Sequence, residues 1–495
     1  MKNDELGKQV ASNVIWRLME RFGAQGVTFL VSIVLARLLD PAVYGLVAIV
    51  TVITTILQVF VDAGFSTALI QKKDADDLDF SSVFYFNILI CCVLYALLFL
   101  AAPLIAKLYK FEELTPIIRV LGLIIVISGV KSVQHSYVAK NLLFKKFFFA
   151  TLGGTIGAAV LGIWMAYLGY GVWALVAQHL FNTTVDTIIL WITVKWRPKK
   201  MFSFTRLKSL FSYGWKLFVS ELLNTIYKKL RQLLIGTMYS PEDLAFYNKG
   251  DSFPDLAVTN LNTAIDNVLL PIMSKEQDGP DRLKNMTRRA IKTSSYIMVP
   301  IMFGLAAVAE PMIRLLLTEK WLPCVFYMRI FCYVYLFQPI QTANLNAIKA
   351  IGRSDVFLKL EIIKKAIGLT ALFSTIFISV KAMAISFLFT TVCNAFVNAF
   401  PNKKLLKYSF REQILDILPY LGMGAAVLAG AFSISLIGLP DWLTLLIQVP
   451  LGVVIYVGLS MIFKVDSFHY VLNVAKSMLN RRKTKNDPEN EEVGQ

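Results

Sequence analysis

Several apolar runs of this chain carry ionisable side chains at helical spacing, and those residues are where chemistry could happen. Each such group costs about 3 kcal/mol at the middle of a membrane helix, so it normally faces water or another charge. Asn13, Arg17, Arg21 and Gln25 recur at a spacing of four and share one helix face. Arg21 lies about 12 Å along the helix from Asn13, deeper than snorkelling readily reaches. Facing a central cavity, Arg17 and Arg21 could bind an anion; the alternative is that Glu20 neutralises one of them. A second stripe holds Glu221, Asn224, Lys228 and Arg231, with Lys229 beside it. A third holds Asn248, Asp251, Asp255, Asn262 and Asp266, with Lys249 adjacent. These two faces either line water or pair with each other. Glu361, Lys364 and Lys365 sit about 12 Å from the end of a further run, and Gln58, Asp62 and Ser66 form one more stripe.

A diphosphate leaving water needs several charge-assisted donors, which Arg supplies in bidentate form. The candidate substrate-binding cations are therefore Arg17, Arg21, Lys228, Arg231, Lys249, Lys364 and Lys365. They fall at two levels, so a head group could stay bound as a cavity opens first inward and then outward. Asp62, Glu221, Asp251 and Asp255 are candidates for ion coupling, with pairing to a neighbouring cation as the other reading. The five cysteines make no C-x-x-C pair and the three histidines are scattered. With no nucleotide-binding Gly-rich loop and no nucleophile–base pair, neither a metal, a cofactor nor an enzyme activity is expected.

The elements that must position these residues are membrane helices. The chain has 495 residues, 56% of them hydrophobic and 17% charged, with a mean hydropathy of +0.60. Apolar runs of roughly 20 residues recur from 13–37 to 442–464, each long enough to cross the hydrocarbon layer. The expectation is an all-α integral membrane fold of about fourteen helices, without strands, because an open sheet cannot satisfy its backbone in lipid. The polar start MKNDELGKQVASN reads as merging into the first helix rather than as a cleavable leader.

The formal charge of +17 could point to nucleic acid, but its distribution does not. With the N-terminus in the cytoplasm, about 31 basic residues fall in inside segments and about 7 in outside loops. The alternation holds in every loop except the one around 314–329, which places both termini inside. Residues 38–48, LLDPAVYGLVA, and 238–248, MYSPEDLAFYN, occupy equivalent helix junctions, and Pro41 matches Pro241 at an offset of 200. Pro103 and Pro311 match at 208. Such parallel repeats imply two six-helix lobes. The expected organisation is a first lobe at 1–195, a basic cytoplasmic connection at 196–213, a second lobe at 214–401, two further helices within 402–466, and a charged tail at 467–495. Gly153 and Gly157 form a G-x-x-x-G read as close helix packing.

Six segments in order carry a resemblance: LARLLDPAVYGLVAIV (35–50), DAGFSTALIQ (62–71), GYGVWALVAQ (169–178), LLIGTMYSPEDLAFYNKGD (233–251), TEKWLPCVFYMRIF (318–331) and IKAIGRSD (348–355). Their order and spacing resemble the Wzx-type polysaccharide exporters, in the branch with the colanic-acid and teichuronic-acid flippases. That branch belongs to the MOP superfamily, with the MATE drug antiporters and the lipid II flippases. The resemblance covers residues from about 10 to 465.

It implies a two-lobed MATE-like bundle, alternating access and an undecaprenyl-diphosphate-linked oligosaccharide as substrate, moved across the bacterial inner membrane for a cell-surface polysaccharide such as an exopolysaccharide or lipopolysaccharide. Membrane lipids, a polysaccharide polymerase and chain-length proteins are the partners to expect. In the lipid II flippases, cavity arginines on the first helix are thought to engage the diphosphate, and Arg17 and Arg21 occupy a comparable place. Where this branch often has an acidic residue before the LLIG segment, this chain has Arg231. The competing readings are a multidrug or cation antiporter, whose cavity should be acidic, and a membrane-embedded polymerase or ligase, which would carry a larger outside loop than any seen here.

Overall fold

The apolar runs form helices because only an intrahelical ladder satisfies the backbone in hydrocarbon. The computed structural model describes residues 2–62, 64–275, 279–473 and 476, with the side chains of 2–15, 18, 213, 264, 266–268 and 275 left aside. The side chains of Asn13 and Asp266 and the tail beyond 476 thus lie outside what is described. Every regular element among the described residues is helical. In chain order these are α1 (Lys2–Leu38), α2 (Pro41–Asp62), α3 (Phe65–Gln71), α4 (Asp77–Tyr109), α5 (Leu114–Leu121), α6 (Leu123–Lys140), α7 (Phe144–Tyr167), α8 (Val172–Thr193) and α9 (Phe204–Met238). There follow α10 (Pro241–Lys275), α11 (Pro280–Leu317), α12 (Cys324–Tyr335), α13 (Gln338–Ala350), α14 (Ser354–Thr375), α15 (Val380–Ala399), α16 (Asn402–Leu405), α17 (Phe410–Ser435) and α18 (Asp441–Ile462).

Nine helical stretches among the described residues are long and apolar enough to cross a membrane. The chain is a multi-pass membrane protein. The polar stripes of α9, α10 and α14 lie on stretches outside that set, whereas Arg21 and Gln25 of α1 and the Gln58–Asp62–Ser66 stripe lie within it. Helices expected on the apolar runs at 115–136 and 325–348 are each split, into α5 and α6 and into α12 and α13. The first turns of α9 and α11 are polar and basic, so these helices begin ahead of the apolar runs at 212–238 and 289–315. The helix expected on the run at 43–66 breaks after Asp62, where Gly64 takes φ +91°. A Cβ on Gly214 of α9 would lie 2.7 Å from the Gly64 carbonyl oxygen, so two glycines let the break and α9 touch backbone to backbone.

The chain divides into two compact units, Met1–Ala245 and Phe246–Gln495. The division falls inside α10 rather than at 196–213. In the first unit α9 packs on α2, α3 and α4. The repeated junctions both place Pro at the first helical position, where its missing N–H costs nothing. They also meet: a Cβ on Gly45 would lie 1.9 Å from the Pro241 carbonyl oxygen. The α7–α8 contact is also close, with a Cβ on Gly157 placed 2.7 Å from the Phe181 ring and one on Gly153 2.9 Å from Ile189. The expected packing role of the G-x-x-x-G follows.

Three loops read as lying on one side of the membrane gather at one end of the first unit. Asp79, fully buried, takes Lys72 at 2.5 Å and Arg206 at 3.7 Å. Asp77 takes Lys199 at 2.5 Å and the Trp196 indole N–H at 3.0 Å. Lys140 donates to the Leu69 and Lys72 carbonyls. Residues 194–203 are an extended strap whose backbone N–H groups at Lys199 and Ser203 donate to Ser81 and Ser82 at 3.0 and 2.9 Å. Trp196 is buried against Phe80 and Tyr137. Asp76 caps α4, and the Asp79 backbone N–H holds its carboxyl below the usual carboxylate range.

In the second unit α17 and α18 pack on α11. Arg288 of α11 grips Asp416 of α17 in bidentate form at 2.7 and 2.6 Å, and the Tyr408 hydroxyl donates to the same carboxylate at 2.8 Å. Fully buried Asn344, Asn402 and Gln413 form an amide cluster with contacts of 2.6 to 3.1 Å. These buried bonds tie α13, α16 and α17 to one register.

Candidate functional site

A cavity of about 880 Å³ opens within the first unit, between α2, α3, α5, α6, α8 and α9. Helix α2 supplies Thr51, Thr54, Thr55, Gln58 and Asp62, spaced by three and four so that they share a face. Helix α9 supplies Ser220, Glu221 and Thr225 by the same spacing, α6 supplies Ser128 and Lys131, and α8 supplies His179 and Thr183. Val59, Leu121, Ile124 and Leu217 complete the wall with apolar surface.

The hydrogen bonds decide what this wall offers. Thr51 donates its hydroxyl to the Val47 carbonyl at 2.8 Å, Thr55 to Thr51 at 2.6 Å, Thr54 to Thr51 at 3.1 Å and Thr183 to His179 at 3.1 Å. Each therefore presents lone pairs rather than an O–H. Asp62 accepts from Gln58 at 3.2 Å, and Glu221 accepts from Thr225 at 3.3 Å. Neither carboxylate has a cation at ion-pair distance among the described residues. Lys131 does face the cavity, but its ammonium is held by Asp186 of α8 at 2.8 Å, with the two side chains 23% and 15% exposed.

The expected site residues distribute unevenly over this geometry. Asp62 and Glu221 both line the cavity. Lys228 lies on α9 at i+7 from Glu221, so it continues the same stripe about 10 Å farther along the helix. Arg17 pairs with Glu20 at 2.6 Å and packs over Phe147 and Phe144 with its side chain half exposed. That is the neutralised arrangement weighed for it from sequence. Arg21 and Arg231 are half-buried on their helices and, like Arg17, are not among the residues lining the cavity.

The remaining residues belong to the second unit. Lys249 is buried 5.7 Å from the Trp321 ring. Asp251 and Asp255 converge on the Tyr335 hydroxyl, at 2.8 and 3.5 Å, and Thr259 donates to Asp255 at 3.0 Å. Lys364 pairs with Glu361 at 2.6 Å, and Lys365 lies half-buried beside it.

Lys131, Asp186 and the threonine face of α2 were not picked out from sequence. The rule that found Asp62 would also have flagged Lys131 and Asp186, since both stand inside apolar runs. The threonines give no such signal, because a hydroxyl in a membrane helix can satisfy itself on the preceding turn.

A family model described as "Polysaccharide biosynthesis protein" matches residues 34–326, more than half of the chain. This chain belongs to that family. The succinoglycan biosynthesis transport protein ExoT of Rhizobium meliloti is 26% identical over 315 residues, 63% of this chain and 64% of that relative. The teichuronic acid biosynthesis protein TuaB of Bacillus subtilis is 27% identical over 315 residues, 61% of this chain and 63% of its own length. The lipopolysaccharide biosynthesis protein WzxC of Escherichia coli is 24% identical over 366 residues, 72% of this chain and 73% of its own length. The chain thus spans somewhat less than two thirds of the length of the first two.

Among solved structures, an inward closed lipid II flippase MurJ matches with a TM-score of 0.73 at 16% identity, covering 91% of this chain and 98% of that one. An inward-facing multidrug MATE transporter of the MOP superfamily matches with a TM-score of 0.61 at 14% identity, covering 80% and 98%. The fold of this polysaccharide biosynthesis protein is that of the MOP superfamily, and the resemblance to its Wzx-type members holds.

Proposed function

We propose that this protein flips an undecaprenyl-diphosphate-linked oligosaccharide across the bacterial inner membrane by alternating access, for a cell-surface polysaccharide. The observation that carries the reading is the roomy, hydroxyl-lined cavity inside a membrane unit of a polysaccharide-biosynthesis family member. Its volume lies within the range of about 300–1,000 Å³ common for small-molecule sites, and its lining suits a polar, polyhydroxylated cargo. The relative ExoT, a succinoglycan biosynthesis transport protein, agrees with a transporter rather than a catalyst. In this reading fourteen helices cross the membrane and both termini are cytoplasmic. Lys228 and the other expected cations, Arg17, Arg21, Arg231, Lys249, Lys364 and Lys365, serve the diphosphate. The Asp251–Asp255–Tyr335 cluster serves ion coupling, since its groups are close-set.

The decisive experiment is reconstitution. Proteoliposomes holding the protein should make a cytoplasmic-leaflet lipid-linked oligosaccharide accessible to an enzyme added outside, and protein-free vesicles should not. A gene deletion should leave the lipid-linked precursor on the inner face. A second reading, a cation antiporter of the same superfamily, is favoured by the uncompensated Asp62 and Glu221; resistance to cationic drugs on overexpression, without precursor flipping, would select it.

A further inference from the structure

The cavity of the first unit has a lopsided hydrogen-bonding character. Thr51, Thr54, Thr55 and Thr183 spend their O–H groups on backbone carbonyls and turn lone pairs inward, and Thr225 donates to Glu221. Asp62 and Glu221 accept only from neutral neighbours on their own helices, at 3.2 and 3.3 Å. The one lysine in the wall is held by Asp186. The formal charge of the lining Asp62, Glu221 and Lys131, taken with Asp186, is negative. Ligand hydroxyls and ammonium groups are donors that the two carboxylates can accept. A ligand carboxylate or phosphate brings more acceptors and a like charge, and like charges facing each other across a low-dielectric cavity repel strongly.

We propose that this cavity is a glycan chamber that takes uncharged or amino-substituted sugar residues and rejects carboxylate-bearing ones, with Asp62 and Glu221 imposing the choice. The proposal rests on the transport reading above and narrows it. The glycan, not the diphosphate, occupies the chamber, while Lys228 lies about 10 Å along α9 for the anionic link. The two carboxylates accept sugar hydroxyls, and the apolar patch of the wall meets the C–H faces of the rings. The negative field that welcomes an amino sugar turns away a uronic acid.

The test is charge-selective labelling. Thr55→Cys on α2 and Thr183→Cys on α8 are made in a chain whose native cysteines are changed to alanine, then reconstituted in nanodiscs. Cationic and anionic methanethiosulfonate reagents are compared after normalising to their rates with a free thiol. The cationic reagent should react about tenfold faster at both positions, the effect of one or two unit charges at cavity distances. Asp62→Asn with Glu221→Gln should abolish that preference, and Asp62→Ser with Glu221→Ser provides a second neutral pair if the first does not elute as a single species. Maltotriose and a chitosan trimer should slow the labelling, whereas trigalacturonate should do so only in the neutral variants.

Equal rates for the two reagents overturn the proposal. So does protection by trigalacturonate in the parent chain. Protection by tetraphenylphosphonium and by no sugar overturns it in favour of a cation site. Flipping of a lipid-linked oligosaccharide is measured in parallel. Flipping without charge selectivity counts against the chamber alone, and charge selectivity without flipping counts against the transport reading alone.

Discussion

The Lys131–Asp186 pair joins α6 to α8 in the wall of the cavity, and its worth can be worked out. The ammonium and carboxylate meet at 2.8 Å, with only 23% and 15% of the side chains exposed. Breaking a fully buried pair costs about 3–5 kcal/mol, because the surviving charge is left unpaired. A fully exposed pair contributes about 0–1 kcal/mol. With most of each side chain removed from solvent but one face open to the cavity, Lys131→Met or Asp186→Asn should each cost about 2 kcal/mol. For a unit of this size that lowers the melting temperature by about 4–8 °C.

The double variant Lys131→Met/Asp186→Asn strands no charge, so it should recover most of the loss, to within about 1 kcal/mol of the parent. The assay is thermal unfolding in dodecyl maltoside, followed by fluorescence-detected gel filtration on all four members of the cycle. If both single variants melt within a degree or so of the parent, or if the double variant loses the sum of the two, the pair is not the staple described here.

Other changes have outcomes set by particular contacts. Gly45→Ala drives a methyl into the Pro241 carbonyl, and since the obstacle is backbone it should cost more than about 3 kcal/mol; Gly304→Ala, where nothing lies within 4 Å, should melt at or above the parent temperature. Asn344→Ala removes three buried side-chain bonds to Gln413 and Asn402 and should cost about 2–3 kcal/mol, read as an earlier melting transition. Lys228→Gln should weaken binding of farnesyl diphosphate in nanodiscs by about fivefold if its charge meets the diphosphate, and leave it unchanged otherwise. The Asp76 carboxyl, held low by the Asp79 backbone N–H, adds stability that is complete above its unfolded pKa and is lost as the pH falls through its folded value. The margin of the parent over Asp76→Ser, which keeps a cap without a titrating group, should therefore shrink as the pH falls through that window, read as converging melting temperatures.

Much of this protein is legible in the residues themselves. Apolar run length specifies membrane helices, because hydrocarbon leaves the backbone no other partner; their ends shift where polar turns extend them, as in α9 and α11, and the breaks at Gly64, between α5 and α6 and between α12 and α13 come from the structure. Pro41 and Pro241 mark equivalent helix starts, and the structure adds that the two junctions touch, which requires Gly45 to lack a side chain. Intramembrane charge flagged Asp62 and Glu221, since an ionisable group in such a run needs a reason to be there.

Tertiary structure alone decided which charges meet. Helical spacing reports the face of one helix but not the helix across from it. Arg17 and Lys364 are held by acids one turn away on their own helices, while Asp62 and Glu221 share a cavity without an ion-paired cation of their own. The partner of Lys131 lies 55 residues along the chain, beyond the reach of any local pattern. The lone pairs that Thr51 and Thr55 present likewise depend on where each hydroxyl turns, a choice made between rotamers after the helices have packed.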